Sequence, residues 1–136
     1  MSGSDKADAC SPLWTVLVSD QVREWLSHLV KEDPGTARLV RAAIRVLRED
    51  GPALGRPLVD RIKGSNIKNL KELRPGSSGR SEIRILFVFD PRRQAILLVA
   101  GDKSSNWNGW YKPAIGQAER LYNDHLRVQQ TTPEQD

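Results

Sequence analysis

Six charged side chains, Lys71, Glu72, Arg74, Arg80, Arg84 and Lys103, fall on or at the ends of short segments whose composition is that of β-strands. If those segments lie side by side, cations concentrate on one sheet. Strand alternation sharpens the picture. Ile83, Ile85, Phe87 and Phe89 point to one face, which leaves Arg84, between Glu82 and Leu86, on the face away from helix packing. Glu72 and Arg74 share one face of their strand, with Leu73 and Lys71 on the other. A Glu, Arg, Arg cluster across paired strands can hold an anion beside a carboxylate. The simpler alternative is a cross-strand ion pair of Glu72 with Arg84 or Arg74, worth only a fraction of a kcal/mol if exposed.

Two further groups suit an anionic polymer. Trp107, Trp110 and Tyr111 crowd a polar loop, where their faces can stack on splayed bases or pin the loop to the sheet edge. Arg38, Arg41, Arg45 and Arg48 fall within about 80° of arc at the helical step. That stripe can contact RNA or remain a solvated face. His28 and His125 stand far apart on helical segments and read as packing or surface residues. No Gly-rich phosphate loop, paired-Cys spacing, HExxH or GxSxG occurs, and no Asp/Glu set suits Mg²⁺. No metal or cofactor is expected.

The elements that must position these residues follow from periodicity. Trp14–Val18 is a short β-type run, and Ser19-Asp20 then supplies a helix N-cap and an acidic first turn. Val22, Trp25, Leu26, Leu29 and Val30 give that helix one apolar face. Asp33-Pro34 starts a second helix running to about Gly51, with Ala37, Val40, Ala43, Ile44 and Leu47 inward. Strands are expected at Leu58–Ile62, Asn69–Arg74, Ser81–Phe89 and Ala95–Ala100. Pro75–Gly79 forms a hairpin loop and Asp90–Arg93 a tight turn. Pro113 opens a last helix with Ile115, Ala118, Tyr122 and Leu126 on one face. The fold class is α+β: a twisted, mostly antiparallel sheet with an N-terminal helical hairpin and a C-terminal helix.

With 136 residues there is room for one core, expected over 13–130, with polar tails at 1–12 and 131–136. A formal charge of +4 suits nucleic acid or an acidic protein as partner. The single cysteine, Cys10, can build neither an intramolecular disulfide nor a metal site, which points to a reducing cytoplasm. No run approaches the roughly 20 apolar residues of a membrane span, and the N-terminus lacks the pattern of a secretion signal.

The blocks Leu70-Lys-Glu-Leu-Arg74, Arg84-Ile-Leu-Phe87 and Leu97-Leu-Val-Ala-Gly-Asp-Lys103, followed by Pro113 and an amphipathic helix, resemble the HigB-like, phage-related group of RelE/ParE toxins. The likeness runs from about Trp14 to Leu126. It implies a RelE-like fold and the toxin of a type II toxin–antitoxin system. It further implies a metal-independent endoribonuclease that cuts mRNA in the ribosomal A site and so halts translation. The implied reaction is attack of a ribose 2′-oxygen on the adjacent phosphate. On this resemblance Arg74 and Arg84 hold the phosphate, Lys103 and Lys71 serve as charge donors or acid/base groups, and Glu72 is the proton acceptor. Arg80, Trp107, Trp110, Tyr111 and the Arg38 to Arg48 stripe are the candidate RNA contacts. Several relatives have a His where Gly101-Asp102-Lys103 stands here, which leaves the acid and base roles open. A cognate antitoxin with a helix-turn-helix domain, the ribosome and mRNA are the implied partners. The alternatives are a ParE-like poison of DNA gyrase and a non-catalytic RNA- or protein-binding module.

Overall fold

The computed structural model describes residues 13–131. The chain opens with strand β1 (Thr15–Val18) and runs into helix α1 (Asp20–Glu32), whose N-cap Ser19 accepts a hydrogen bond from the Val22 N–H. Asp33 caps helix α2 (Pro34–Asp50), accepting from the Thr36 N–H, so α1 and α2 form the expected hairpin with one residue between them. Gly51, at φ +58°, ends α2 against the Trp14 indole, where a Cβ would overlap the ring. A short 3-10 turn, Gly51–Ala53, leads into strands β2 (Val59–Arg61), β3 (Lys71–Leu73), β4 (Ile83–Asp90) and β5 (Gln94–Asp102), and helix α3 (Tyr111–Thr131) closes the chain.

Strand order is β1-β5-β4-β3-β2, antiparallel throughout except that β1 runs parallel to β5. The hairpin covers one face of this sheet through Val22, Val40, Ala43 and Leu47, which pack on Leu73, Ile83, Ile85, Phe87 and Leu97. Helix α3 covers the other, setting Ala114 and Ala118 on Leu70, Leu86, Val88, Ile96, Leu98 and Val99. Each fully buried Leu, Val, Ile or Phe contributes about 1.5–3 kcal/mol to such a core. The expectation that Arg84 emerges on a face free of helix packing is therefore corrected: its face is the one α3 covers, and Arg84 is only 5% exposed.

Strand limits and the start of α3 also differ from expectation. Strands expected at Leu58–Ile62 and Asn69–Arg74 shorten to three residues each, although Ile62 N–H to Leu70 C=O and Arg74 N–H to Leu58 C=O extend the pairing at both ends. Helix α3 begins at Tyr111 rather than Pro113; the proline fits there because first-turn N–H groups have no intrahelical acceptor. Thr131, expected to begin the tail, is the last residue of α3, while the rest of that tail and residues 1–12 lie outside the described residues.

A register shift at Leu86/Phe87 decides which face the later residues of β5 take. Leu86 pairs with Val99 and Phe87 with Leu97, so Leu98 is an extra residue and β5 bulges. Leu98 and Val99 consequently both face α3, while Leu97 and Ala100 face the hairpin. Beyond the bulge the phase of β5 is inverted. Where β1 stops, side chains take over its hydrogen bonds: the Ser19 hydroxyl donates to the Leu98 C=O, and the Gln21 amide both donates to the Ala100 C=O and accepts from its N–H.

Candidate functional site

Because of that inversion, Gly101 pairs with Arg84 and Lys103 comes to the face occupied by Arg84 and Glu72. The three charges are almost fully buried, at 5% exposure for Arg84 and Lys103 and 7% for Glu72. Arg84 Nε lies 3.5 Å from Glu72 Oε1, Nη1 donates to the Ile83 C=O at 2.8 Å, and Nη2 lies 3.4 Å from Glu82 Oε1. The cross-strand pair is thus present but buried, and Arg84 Nε has no hydrogen-bond partner among the described residues. Glu72 Oε1 also accepts from the Tyr111 hydroxyl at 2.7 Å. Burial first, then the bond to Glu72 and its charge, push the Tyr111 phenol above its ordinary range.

Lys103 places its ammonium 3.7 Å from the centroid of Trp107 and 5.1 Å from that of Tyr111. Burial, and after it the Arg84 charge, holds this lysine below the usual range, against the pull of Glu72 and Glu82. Its backbone is fixed too. Lys103 N–H donates to the Glu82 C=O, and Asp102 Oδ1 accepts from the N–H groups of Glu82 and Ser104. These hydrogen bonds outweigh the effect of burial and lower the Asp102 carboxyl below its ordinary value. Arg74 stands at the rim, one third exposed, with Nη1 3.5 Å from Asp60 Oδ2, and its charge is felt at Lys103.

The aromatic residues of the loop differ in what they touch. Trp110 packs on Gly101, so close that a Cβ there would lie 2.6 Å from its Nε1, and it meets Tyr111 edge-on at 5.2 Å. These two hold the loop and the start of α3 against the sheet. Trp107 remains 51% exposed and covers Lys103.

Other candidates lie elsewhere. Lys71 is on the opposite face, its ammonium 5.3 Å from the Phe89 ring centroid, because alternation puts it with Leu73 on the hairpin side. Arg80 is exposed in the β3–β4 loop. Arg38, Arg41, Arg45 and Arg48 are exposed on α2, across the sheet from Arg84. Sequence reasoning missed Glu82, Asp60 and Gly101 as parts of the site. Glu82 was accessible from its i, i+2 spacing to Arg84, which puts both on one strand face.

Residues 24–123 match the family described as Phage derived protein Gp49-like, a span that includes every residue of the cluster. The chain belongs to the Gp49-like family. Over 113 residues it is 55% identical to the Mycobacterium tuberculosis protein named "Putative toxin HigB2", covering 83% of this chain and 54% of that protein. Over 111 residues it is 45% identical to "Putative toxin HigB3" of the same organism, covering 82% of this chain and 92% of that one. The Gp49-like chain therefore spans about half the length of the first relative and most of the second. The HigB-like resemblance drawn from the ELR and RILF blocks is confirmed by this family and these relatives. Among the described residues of this Gp49-like protein, no helix is long and apolar enough to cross a membrane.

Proposed function

We propose that this Gp49-like chain is the toxin of a type II toxin–antitoxin pair and cleaves mRNA on the ribosome. The observation that carries the reading is the convergence of Arg84, Lys103 and the Glu72–Tyr111 pair on one sheet face, with Arg74 at its rim. In the reaction a ribose 2′-oxygen bonds to the adjacent phosphorus, the bond from phosphorus to the 5′-oxygen breaks, and a 2′,3′-cyclic phosphate and a 5′-hydroxyl result. Arg74 and Arg84 neutralise the phosphoryl oxygens. Glu72 takes the 2′-hydroxyl proton through Oε2, since Tyr111 and Arg84 both engage Oε1. Lys103 gives a proton to the leaving 5′-oxygen, and its lowered pKa makes it a better acid than an ordinary lysine. Trp107 stacks on a neighbouring base. The partners in this reading are the ribosome, mRNA and a cognate antitoxin with a helix-turn-helix domain, in the cytoplasm.

Arg84→Ala is a poor first probe, because it strands Glu72 as a buried charge at a cost of about 3–5 kcal/mol. Arg74→Ala and Lys103→Met are better. In a translating extract the wild-type chain is expected to cut messages within translated codons and only when ribosomes are engaged. Each substitution should slow cutting by about 100-fold, with circular dichroism confirming the fold. Growth arrest with intact messages and damaged DNA would replace this reading with gyrase poisoning.

A further inference from the structure

The turn of Lys103 toward Arg84 depends on a bulge that the residues around it do not demand. Leu97, Leu98, Val99 and Ala100 are all apolar and all buried, and a regular ladder keeps the strand-to-strand bonding that a bulge interrupts. Without the bulge, Leu98 would be drawn in opposite Leu86 and every later residue would move on by one position. Val99 would come opposite Ile85, Ala100 opposite Arg84 and Asp102 opposite Glu82, and Lys103 would point to the hairpin side.

The outer edge of β5 does not choose between these two registers. Gln21 bonds the outward N–H and C=O of the residue opposite Ile85, which is Ala100; in the slipped register Val99 would turn the same two groups outward. The position opposite Arg84 does choose. Gly101 occupies it against the Trp110 indole, and a Cβ on that backbone would lie 2.6 Å from Nε1 and 3.1 Å from Cε2 and Cζ2. Slippage would bring the Ala100 methyl group to this place. The indole has little room to yield: its backbone N–H donates to the Asn106 C=O, Tyr111 meets its ring edge-on, and the Tyr111 hydroxyl is tied to Glu72. One position back, the closed space around the Ala100 side chain would also have to take the larger Val99.

We propose that Trp110 is a positioning residue: it admits only a glycine opposite Arg84, and so selects the register of β5 that brings Lys103 beside Arg84 and Glu72. It acts on Lys103 through the strand rather than by touching it. The choice of register follows from geometry alone, while its bearing on cleavage rests on the proposed reaction, in which Lys103 protonates the leaving oxygen.

The test uses the full chain and reads the register directly from cross-strand Hα–Hα nuclear Overhauser contacts. Ile85 opposes Ala100 in the wild type and would oppose Val99 after slippage. Trp110→Ala is expected to show the Ile85–Val99 contact. The titration of Lys103, followed by its side-chain carbon shifts and assigned with Lys103→Met, should return toward the ordinary lysine range as the residue leaves its buried place beside Arg84. Cutting in the translating extract should slow by about 100-fold. Val22→Ala, which weakens the hairpin core far from Trp110, should lower the melting temperature and leave both the register and the Lys103 titration as they are. Should Trp110→Ala fail to fold, Trp110→Leu takes its place with the same readouts. A folded Trp110 variant that keeps Ile85 against Ala100 and the wild-type Lys103 titration overturns the proposal, as does slippage in Val22→Ala. A wild-type chain that does not cut, with a Trp110 variant that slips, removes the nuclease reading and leaves the register inference standing; a wild type that cuts, with a variant that does not slip, does the reverse.

Discussion

Lys103 is held where its own charge is penalised, by burial and then by Arg84. In the unfolded chain it titrates as an ordinary lysine. Between the lowered folded pKa and the ordinary unfolded one, the unfolded chain binds more protons, so stability rises with pH through that window. Below it both states are protonated and the fold carries the whole cost of the charge. Lys103→Met removes this cost; the local losses are the ammonium's contacts with Trp107 and Tyr111 and its attraction to Glu72 and Glu82. Thermal unfolding at neutral pH should show unchanged stability or a gain of about 1 kcal/mol, together with the loss of cleavage expected of the same variant. A marked drop in melting temperature would mean that the aromatic contacts and the attraction of Glu72 and Glu82 outweigh the cost of the buried charge. Pairing of Glu72 with Arg84 was legible from strand alternation. Their burial was not, because alternation states which face a side chain takes and is silent on what covers that face.

At the scale of elements, the bulge in β5 decides which charges meet. Strict alternation from Ala95, which faces the hairpin, would send Lys103 there too; the extra residue at Leu98 turns it to Arg84 instead. Nothing in the run Leu97-Leu-Val-Ala100 marks this, since every residue is apolar and β5 is buried on both faces. Helix caps were legible because Ser19 and Asp33-Pro34 act through local hydrogen bonds. The start of α3 was less so, because a proline fits any position of a first turn. The close approach of Trp110 to Gly101 makes a further expectation concrete. Gly101→Ala would drive a Cβ into the indole, cost about 1–3 kcal/mol and loosen the loop that carries Trp107. A lowered melting temperature with a shifted tryptophan emission would report it; an unchanged melt would mean the loop yields freely.

For the whole molecule, three layers separate two charged regions: a buried cluster on the α3 side and the exposed arginines of α2 on the hairpin. The α+β class and the mostly antiparallel sheet were readable from the order of periodic segments. Covering of both faces was not, because the single apolar stripe of α3 fits either one. β1 guards one edge of this sheet. Removing residues 13–18 would bare the backbone of β5 from Gln94 to Leu97, and such an open edge pairs with other chains. Light scattering should then detect oligomers or aggregates absent from the wild type; a monodisperse, folded monomer would mean that α1 shields the edge alone.

The pairing of Thr15 with Gln94 also imposes an order in time. A growing chain carries its first strand without a sheet partner until its last strand has been made, and contacts so distant in sequence form late. Lys103 is synthesised later still. Any fragment that stops short of it can collect helices and strands but not the charges proposed for RNA cleavage, so cleavage should begin only with molecules that extend past Lys103.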